Sequence, residues 1–191
     1  MSASVHRNGS IRKLLPVELA DFRDHLLRLD RESRRMRFGH IVSDKFLIDY
    51  AALLEVSECV PYIYVENGGI HASAELRKIN SNWDQDAEVA FSVEGAYQNI
   101  GIGSRLMKYI MRAARNRGVR RVYMSCLPEN QKMRAIALKY DAQIRFTDGD
   151  LMGEIMPSHP DQLSIAGEIV DDRIGFLLAE LDLSARSDRA A

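Results

Sequence analysis

The chain has 191 residues, 46% of them hydrophobic, with 26 basic against 27 acidic side chains and a net charge of −1. That length suits one globular domain able to bury about 70% of its unfolded surface, and the balanced charge gives no reason to expect a nucleic-acid partner. No apolar run approaches a membrane span and residues 1–13 lack the apolar stretch of a signal peptide, so a cytoplasmic protein without a membrane anchor is expected.

Taken in order, residues 10–14 read as a short strand, and Pro16 suits the first turn of a helix in which Leu19, Phe22, Leu26 and Leu29 share a face. Residues 31–40 read as a basic connector, in which Arg34, Arg35 and Arg37 are candidates to meet an anionic group. Ser43 then caps a helix expected over residues 44–56. Residues 60–65 and 70–79 flank Glu66-Asn67-Gly68-Gly69, whose Asn-Gly predicts a hairpin and hence an antiparallel pair. A polar turn carrying Trp83 leads into residues 88–93, where Val89, Phe91 and Val93 face one way and Glu88, Ala90 and Ser92 the other. Cys59 and Cys126 lie in separate predicted strands and the histidines are scattered, so neither a disulfide framework nor a metal site is expected.

Gln98-Asn99-Ile100-Gly101-Ile102-Gly103-Ser104 follows that strand and opens a helix, since Ile102, Leu106, Ile110 and Ala113 fall at helical spacing. Such a junction suits an anion. The first helical turn leaves N–H groups without partners and carries partial positive charge, and glycines let a phosphate approach the backbone. The loop lacks the Gly-Lys-Ser/Thr of a P-loop, and it begins too far past the strand for a dinucleotide fingerprint. Seven basic and no acidic residues follow between Arg105 and Arg121; Arg105 and Lys108 are the candidates to approach a phosphate, and the others read as a solvated face. Residues 122–126 form the next strand, Asn130 opens another helix, and residues 143–146 supply a further strand.

Near the end, Leu163, Ala166, Val170, Ile174, Leu177 and Leu181 step by three and four, predicting an amphipathic helix over residues 161–183 despite Gly167 and Gly175. Its apolar stripe needs cover, either from its own domain or from a second subunit in a homodimer, and packing back is the simpler expectation. Residues 184–191 read as a frayed tail.

Gln98-x-x-Gly101-x-Gly103 resembles the acyl-CoA-binding signature of the GNAT acetyltransferase superfamily, and Asn130-x-x-Met133 looks like its second block, beside the pantetheine arm. The resemblance spans about residues 10–156. It implies an α/β (α+β) fold: a mixed sheet of six to seven strands with antiparallel N-terminal strands and a splayed parallel pair, with flanking helices. Residues 1–157 would make the GNAT domain, with 158–191 appended as the additional helix and tail. The implied cofactor is acetyl-CoA (CoA). Phe91, Ser92 and Val93 would meet the pantetheine, and Asn99, Ile100, Gly101, Ile102, Gly103 and Ser104, with Gln98, the pyrophosphate.

Acyl transfer to a primary amine needs that amine neutral, yet with a pKa near ~10.4 only about 1 in 2,500 molecules is neutral at pH 7. A positioned carboxylate takes the proton as attack proceeds. Residues 87–91 resemble the segment where the histone-acetylating branch carries its general base, which makes Glu88 the first candidate, with Glu75 on the neighbouring strand in reserve. Many family members place a tyrosine seven residues after the block's asparagine; here that residue is Ala137, with Tyr123, Ser125 and Cys126 as nearby alternatives. The expected activity is acetyl transfer to a small amine or a protein lysine by direct attack in a ternary complex. The alternative is a non-catalytic acyl-CoA-binding sensor or regulatory module.

Overall fold

Seven strands form one sheet: β1 (Ser10–Lys13), β2 (Cys59–Glu66), β3 (Gly69–Lys78), β4 (Asp86–Val93), β5 (Arg121–Cys126), β6 (Gln143–Thr147) and β7 (Asp150–Ile155), in the order β1-β2-β3-β4-β5-β7-β6. Among the described residues six α-helices flank it: α1 (Leu19–Arg28), α2 (Arg31–Phe38), α3 (Asp44–Ala52), α4 (Ile102–Asn116), α5 (Gln131–Leu138) and α6 (Gln162–Ala190). The structure, a computed structural model, describes residues 9–54, 58–79, 81–83, 85–147 and 149–190, with side chains to Ser184. The helix expected over residues 44–56 is shorter: it ends at Ala52 with Leu53 as its C-cap and Leu54 outside it, while residues 55 and 56 lie outside the described residues.

Only β4 and β5 run parallel, and every other neighbouring pair is antiparallel. The β2–β3 hairpin turns at Asn67 and Gly68, both with positive φ as an Asn-Gly turn requires. Two cores result. Leu106, Met107 and Ile110 of α4 pack with Val89, Phe91 and Leu76 on one face of the sheet. Phe22 and Leu26 of α1 pack with Leu47 of α3, Ile63 and Ile70 on the other.

Three expectations change. Residues 31–40 are not an open connector: Asp30 caps α2 by accepting from the Ser33 N–H at 2.7 Å, and Gly39 ends it at φ +77°. A strand absent from the sequence reading, β7, pairs with β5 along its length and separates it from β6. Finally, α6 continues to Ala190, through the stretch expected to fray.

Of the basic residues expected to be solvated, Arg120 and Arg121 are exposed, but Arg112, Arg115 and Arg117 are engaged by α6 and the residue before it. Arg112 pairs with Asp171 at 2.6 Å, Arg115 with Asp161, and Arg117 with Glu168 at 3.0 Å. Lys13 of β1 reaches Glu168 at 2.8 Å and Asp172 at 2.6 Å. The two glycines of α6 fall on this inward face. A Cβ on Gly175 would stand 2.9 Å from Cβ of Arg12, so only glycine lets the helix approach β1 this closely. The predicted stripe faces outward instead, with Leu163, Val170, Ile174, Leu177 and Leu181 all exposed. Packing back is thus realised through the polar face, because the acidic residues of α6 find their cations on α4 and β1.

Candidate functional site

The parallel pair opens. β4 and β5 are paired only at Asp86–Arg121, Ala87–Val122 and Glu88–Tyr123, and beyond Glu88 the two strands diverge. On its other side β4 stays in unbroken register with β3 as far as Ala72–Val93. Main-chain direction alternates along a strand, and two flanking bonds set its phase. Asp86 O accepts from Ile79 N–H and Glu94 N–H donates to His71 O, so even-numbered residues of β4 point at β3. Gln85 O accepts from Arg120 N–H, so odd-numbered residues point at β5. Past the fork, the main-chain groups of Val89, Phe91 and Val93 therefore face the cleft. The Val93 carbonyl accepts from Gln98 Nε2 at 2.9 Å.

A groove of about 910 Å³ runs through this fork, walled by β4, α2, the start of α4, and α5. It gathers Glu88, Phe91, Ser92, Val93, Gln98, Asn99, Gly101, Ile102, Gly103, Ser104, Asn130 and Met133; Ile100, half-exposed on the same loop, is not part of its lining. Asn99 and Gly101 adopt φ of +61° and +88°, and this left-handed turn swings the chain from the strand end into α4. Gly101 is the N-cap and offers no side-chain cap, so the first-turn N–H groups of α4 meet the groove uncapped. A Cβ on Gly103 would stand 2.9 Å from Cδ1 of Ile136, where α4 and α5 close the groove's floor. Asn130 Oδ1 caps α5 by accepting from Met133 N–H at 3.1 Å, which holds that helix start against the cleft.

Two cations here were not singled out from sequence. Lys132 Nζ donates to Gln98 Oε1 at 2.6 Å and Lys139 Nζ to Ser104 Oγ at 3.2 Å, placing both ammonium groups by the glycine loop. The expected candidates lie elsewhere: Arg105 donates to Gly9 O and lies over the Tyr64 ring, and Lys108 lines a different depression, between α4 and the start of α6. A basic residue two elements downstream carries no local signal for this role.

The candidate carboxylates separate by environment. Glu88 is exposed at the fork and its side chain makes no hydrogen bond or ion pair among the described residues. Glu75 is fully buried; its oxygens accept from Arg37 Nη2 at 2.9 Å, Arg77 Nη2 at 2.7 Å and Tyr50 Oη at 2.6 Å. Burial pushes the Glu75 carboxyl up, but the guanidinium groups of Arg37 and Arg77 outweigh it and hold the pKa below the usual range. Glu75 thereby ties α2 and α3 to β3.

Arg34 and Arg35 are also held within the chain rather than presented to a ligand. Arg34 donates to Leu27 O, Leu29 O and Asp44. Arg35 spans the groove from Glu32 of α2 to Glu129 before α5. Ser92 borders the groove, yet its hydroxyl bonds His25 Nε2 at 2.8 Å and Ser73 Oγ at 2.7 Å, while its main chain faces β3. Of the polar residues considered beside Ala137, only Ser125 lines the groove; Cys126 is buried, which raises its thiol pKa.

The sequence matches the family model described as acetyltransferase (GNAT) family over residues 23–140. Among solved structures, the fold is similar to the GNAT domain of S. lividans PAT, at 24% identity and TM-score 0.68, covering 78% of this chain and 90% of that one. It is similar to a cAMP-binding acyltransferase from Mycobacterium smegmatis at 24% identity and TM-score 0.58, covering 90% of this chain but only 52% of that one, so the chain spans about half of that protein's length. It is also similar to yncA from Salmonella typhimurium, solved with its cofactor acetyl-CoA, at 15% identity and TM-score 0.61, covering 81% and 99% of the two chains. With a splayed parallel pair, an uncapped glycine-loop helix and a family match over well more than half its length, the chain belongs to the GNAT family and is an acetyltransferase.

Proposed function

We propose that this acetyltransferase passes an acetyl group from acetyl-CoA directly to a primary amine held on the α2 side of the fork. The observation that carries the reading is the fork itself, with a carboxylate that has no partner among the described residues at its vertex and, along one arm, main-chain groups that β5 does not pair. Acetyl-CoA, when bound, supplies an acetyl group activated as a thioester. The first-turn N–H groups of α4 hold its pyrophosphate, with Lys132 and Lys139 adding positive charge. The main chain of Phe91 and Val93, which β5 does not pair, bonds the pantetheine amides instead, and an N–H in this row polarises the carbonyl to be attacked. Phe91 and Met133 shape the apolar walls of the passage.

Glu88 accepts the amine's proton, directly or through a water, as the new bond forms. Its exposed position and lack of a cation partner suit a group that must exchange protons with solvent after each turnover. Glu75 suits that role less, because three donors stabilise its charged form and burial keeps an amine away. Ala137 stands where many family members carry a tyrosine to protonate the leaving thiolate; a thiol with a pKa near ~8.5 leaves moderately well unaided, and Ser125 offers a hydroxyl on the β5 wall. Of the other acidic residues lining the groove, Glu32 and Glu129 pair with Arg35 and Asp30 caps α2, which leaves Glu88 as the carboxylate available to an amine.

The test is Glu88→Gln. Acetylation of an amine acceptor falls about 100-fold or more while CoA affinity stays within about twofold, since the isosteric amide removes the base and little else. An unchanged rate removes Glu88 from the mechanism. CoA binding without turnover by the unmodified protein on any amine would favour the sensor reading instead.

A further inference from the structure

The outward half of α6 is the least explained surface of the molecule. The helix is amphipathic in the sense opposite to an ordinary surface helix, with Glu168, Asp171 and Asp172 turned to the domain and most of its large aliphatic residues to water. One outward strip is Leu163, Val170, Ile174, Leu177 and Leu181, exposed by 85%, 54%, 51%, 59% and 66%. A second strip, Ile165, Ile169 and Phe176, runs beside it. Nothing within the described residues covers either, and leaving so much contiguous apolar surface in water is costly unless a partner removes it.

Between the strips lie Arg173 and Glu180, both exposed and neither in a hydrogen bond or ion pair among the described residues. They are two helical turns apart, about 10 Å, too far to pair with each other. Residues one turn from each on this face are uncharged, so neither has a counter-ion one turn away on its own helix. Buried under a purely apolar partner, both would be stranded charges. An antiparallel copy of the same helix resolves this. A two-fold axis crossing α6 near Phe176 and Leu177 brings Arg173 of each copy alongside Glu180 of the partner subunit. That axis also falls at the middle of Gln162–Ala190, so the helices overlap along their whole length. Half the circumference of a helix this long offers roughly 700 Å², close to the ~800 Å² per partner of a standard interface.

We propose that a second copy of this chain covers the outward face of α6, antiparallel and two-fold related, with the Arg173–Glu180 pair made twice at its centre. The groove lies outside this face, so the assembly forms without the acyl donor.

Sedimentation velocity or light-scattering chromatography at micromolar concentration tests it. The unaltered chain sediments as a dimer, and Leu177→Asp makes it a monomer with the same thermal transition to within a few degrees. Arg173→Glu alone and Glu180→Arg alone each weaken the dimer at least about tenfold, because each sets like charges opposite one another. The double variant Arg173→Glu/Glu180→Arg restores it, and the two single variants mixed in equal amounts associate with each other. A monomer throughout the micromolar range overturns the proposal and leaves the face to another occupant. So does a dimer indifferent to Leu177→Asp, or single reversals that behave like the double one.

Discussion

Gly101 shows how one residue's backbone geometry aims the start of a helix at the groove. At φ +88° it sits where an L side chain is strained by about 1–2 kcal/mol, although no atom would clash with an added Cβ. Gly101→Ala therefore lowers stability by about 1 kcal/mol and weakens CoA binding, because relief of the strain tilts the first-turn N–H groups away from the groove; denaturant melts and a CoA titration measure the two effects separately. Lys132 and Lys139 act from outside the loop. Replacing both with alanine weakens CoA roughly two- to tenfold, with an effect that fades at high salt, as expected of exposed charges. Affinity unchanged by the double substitution at low salt would put the phosphates elsewhere. The glycines and Gln98 were legible in the sequence because their spacing acts through local backbone. The lysines were not, since only the packing of α5 against α4 brings them to the loop.

Among the elements, α6 departs furthest from expectation. Its periodicity correctly marked a helix, but hydrophobic patterning assigns an inward face on the premise that apolar residues go inside. Here the opposing charges on α4 and β1 decide. Glu168 accepts from Lys13, Asn116 and Arg117 at 2.7–3.0 Å, and although burial pushes its carboxyl up, these donors hold its pKa at about 2. Glu168→Ala leaves those donors without their acceptor and costs about 2–3 kcal/mol, with hydrogen exchange rising first along α6; a change below about 0.5 kcal/mol would mean the helix is held by other contacts. Asp30 at the start of α2 teaches a related lesson. The cap was visible in Asp30-x-x-Ser33, yet the run of arginines made the segment read as a loop, and only their engagement by Glu32, Asp44, Glu75 and Glu129 shows why it is ordered.

For the molecule as a whole, the buried polar network beside the fork sets an acid limit. Burial lowers the pKa of His25, which bonds Ser92 and Glu94. Burial raises the Glu94 carboxyl, but hydrogen bonds to His25, His71 and Arg28 more than offset that and hold it at about 2. The unfolded chain binds protons at both groups before the folded one does, so stability falls as pH falls. The loss starts below pH 6.5, where an unfolded histidine charges, and steepens from 4.5 towards 2 as Glu94 and Glu168 resist protonation only when folded. Urea midpoints recorded from pH 7 to 3 check this, and Glu94→Gln flattens the lower part of the curve. Among the described residues no helix is long and apolar enough to cross a membrane.

By itself the sequence determined the order of most elements, the glycine-loop helix start, the Asn130 cap and the family, all of which rest on contacts between residues close in the chain. Tertiary structure alone decided where β4 and β5 part and which of two carboxylates is exposed. It likewise decided which lysines reach the loop and which face of α6 turns outward. Those outcomes depend on charges and backbone groups far apart in sequence, whose balance of burial and pairing is set only when the sheet has formed.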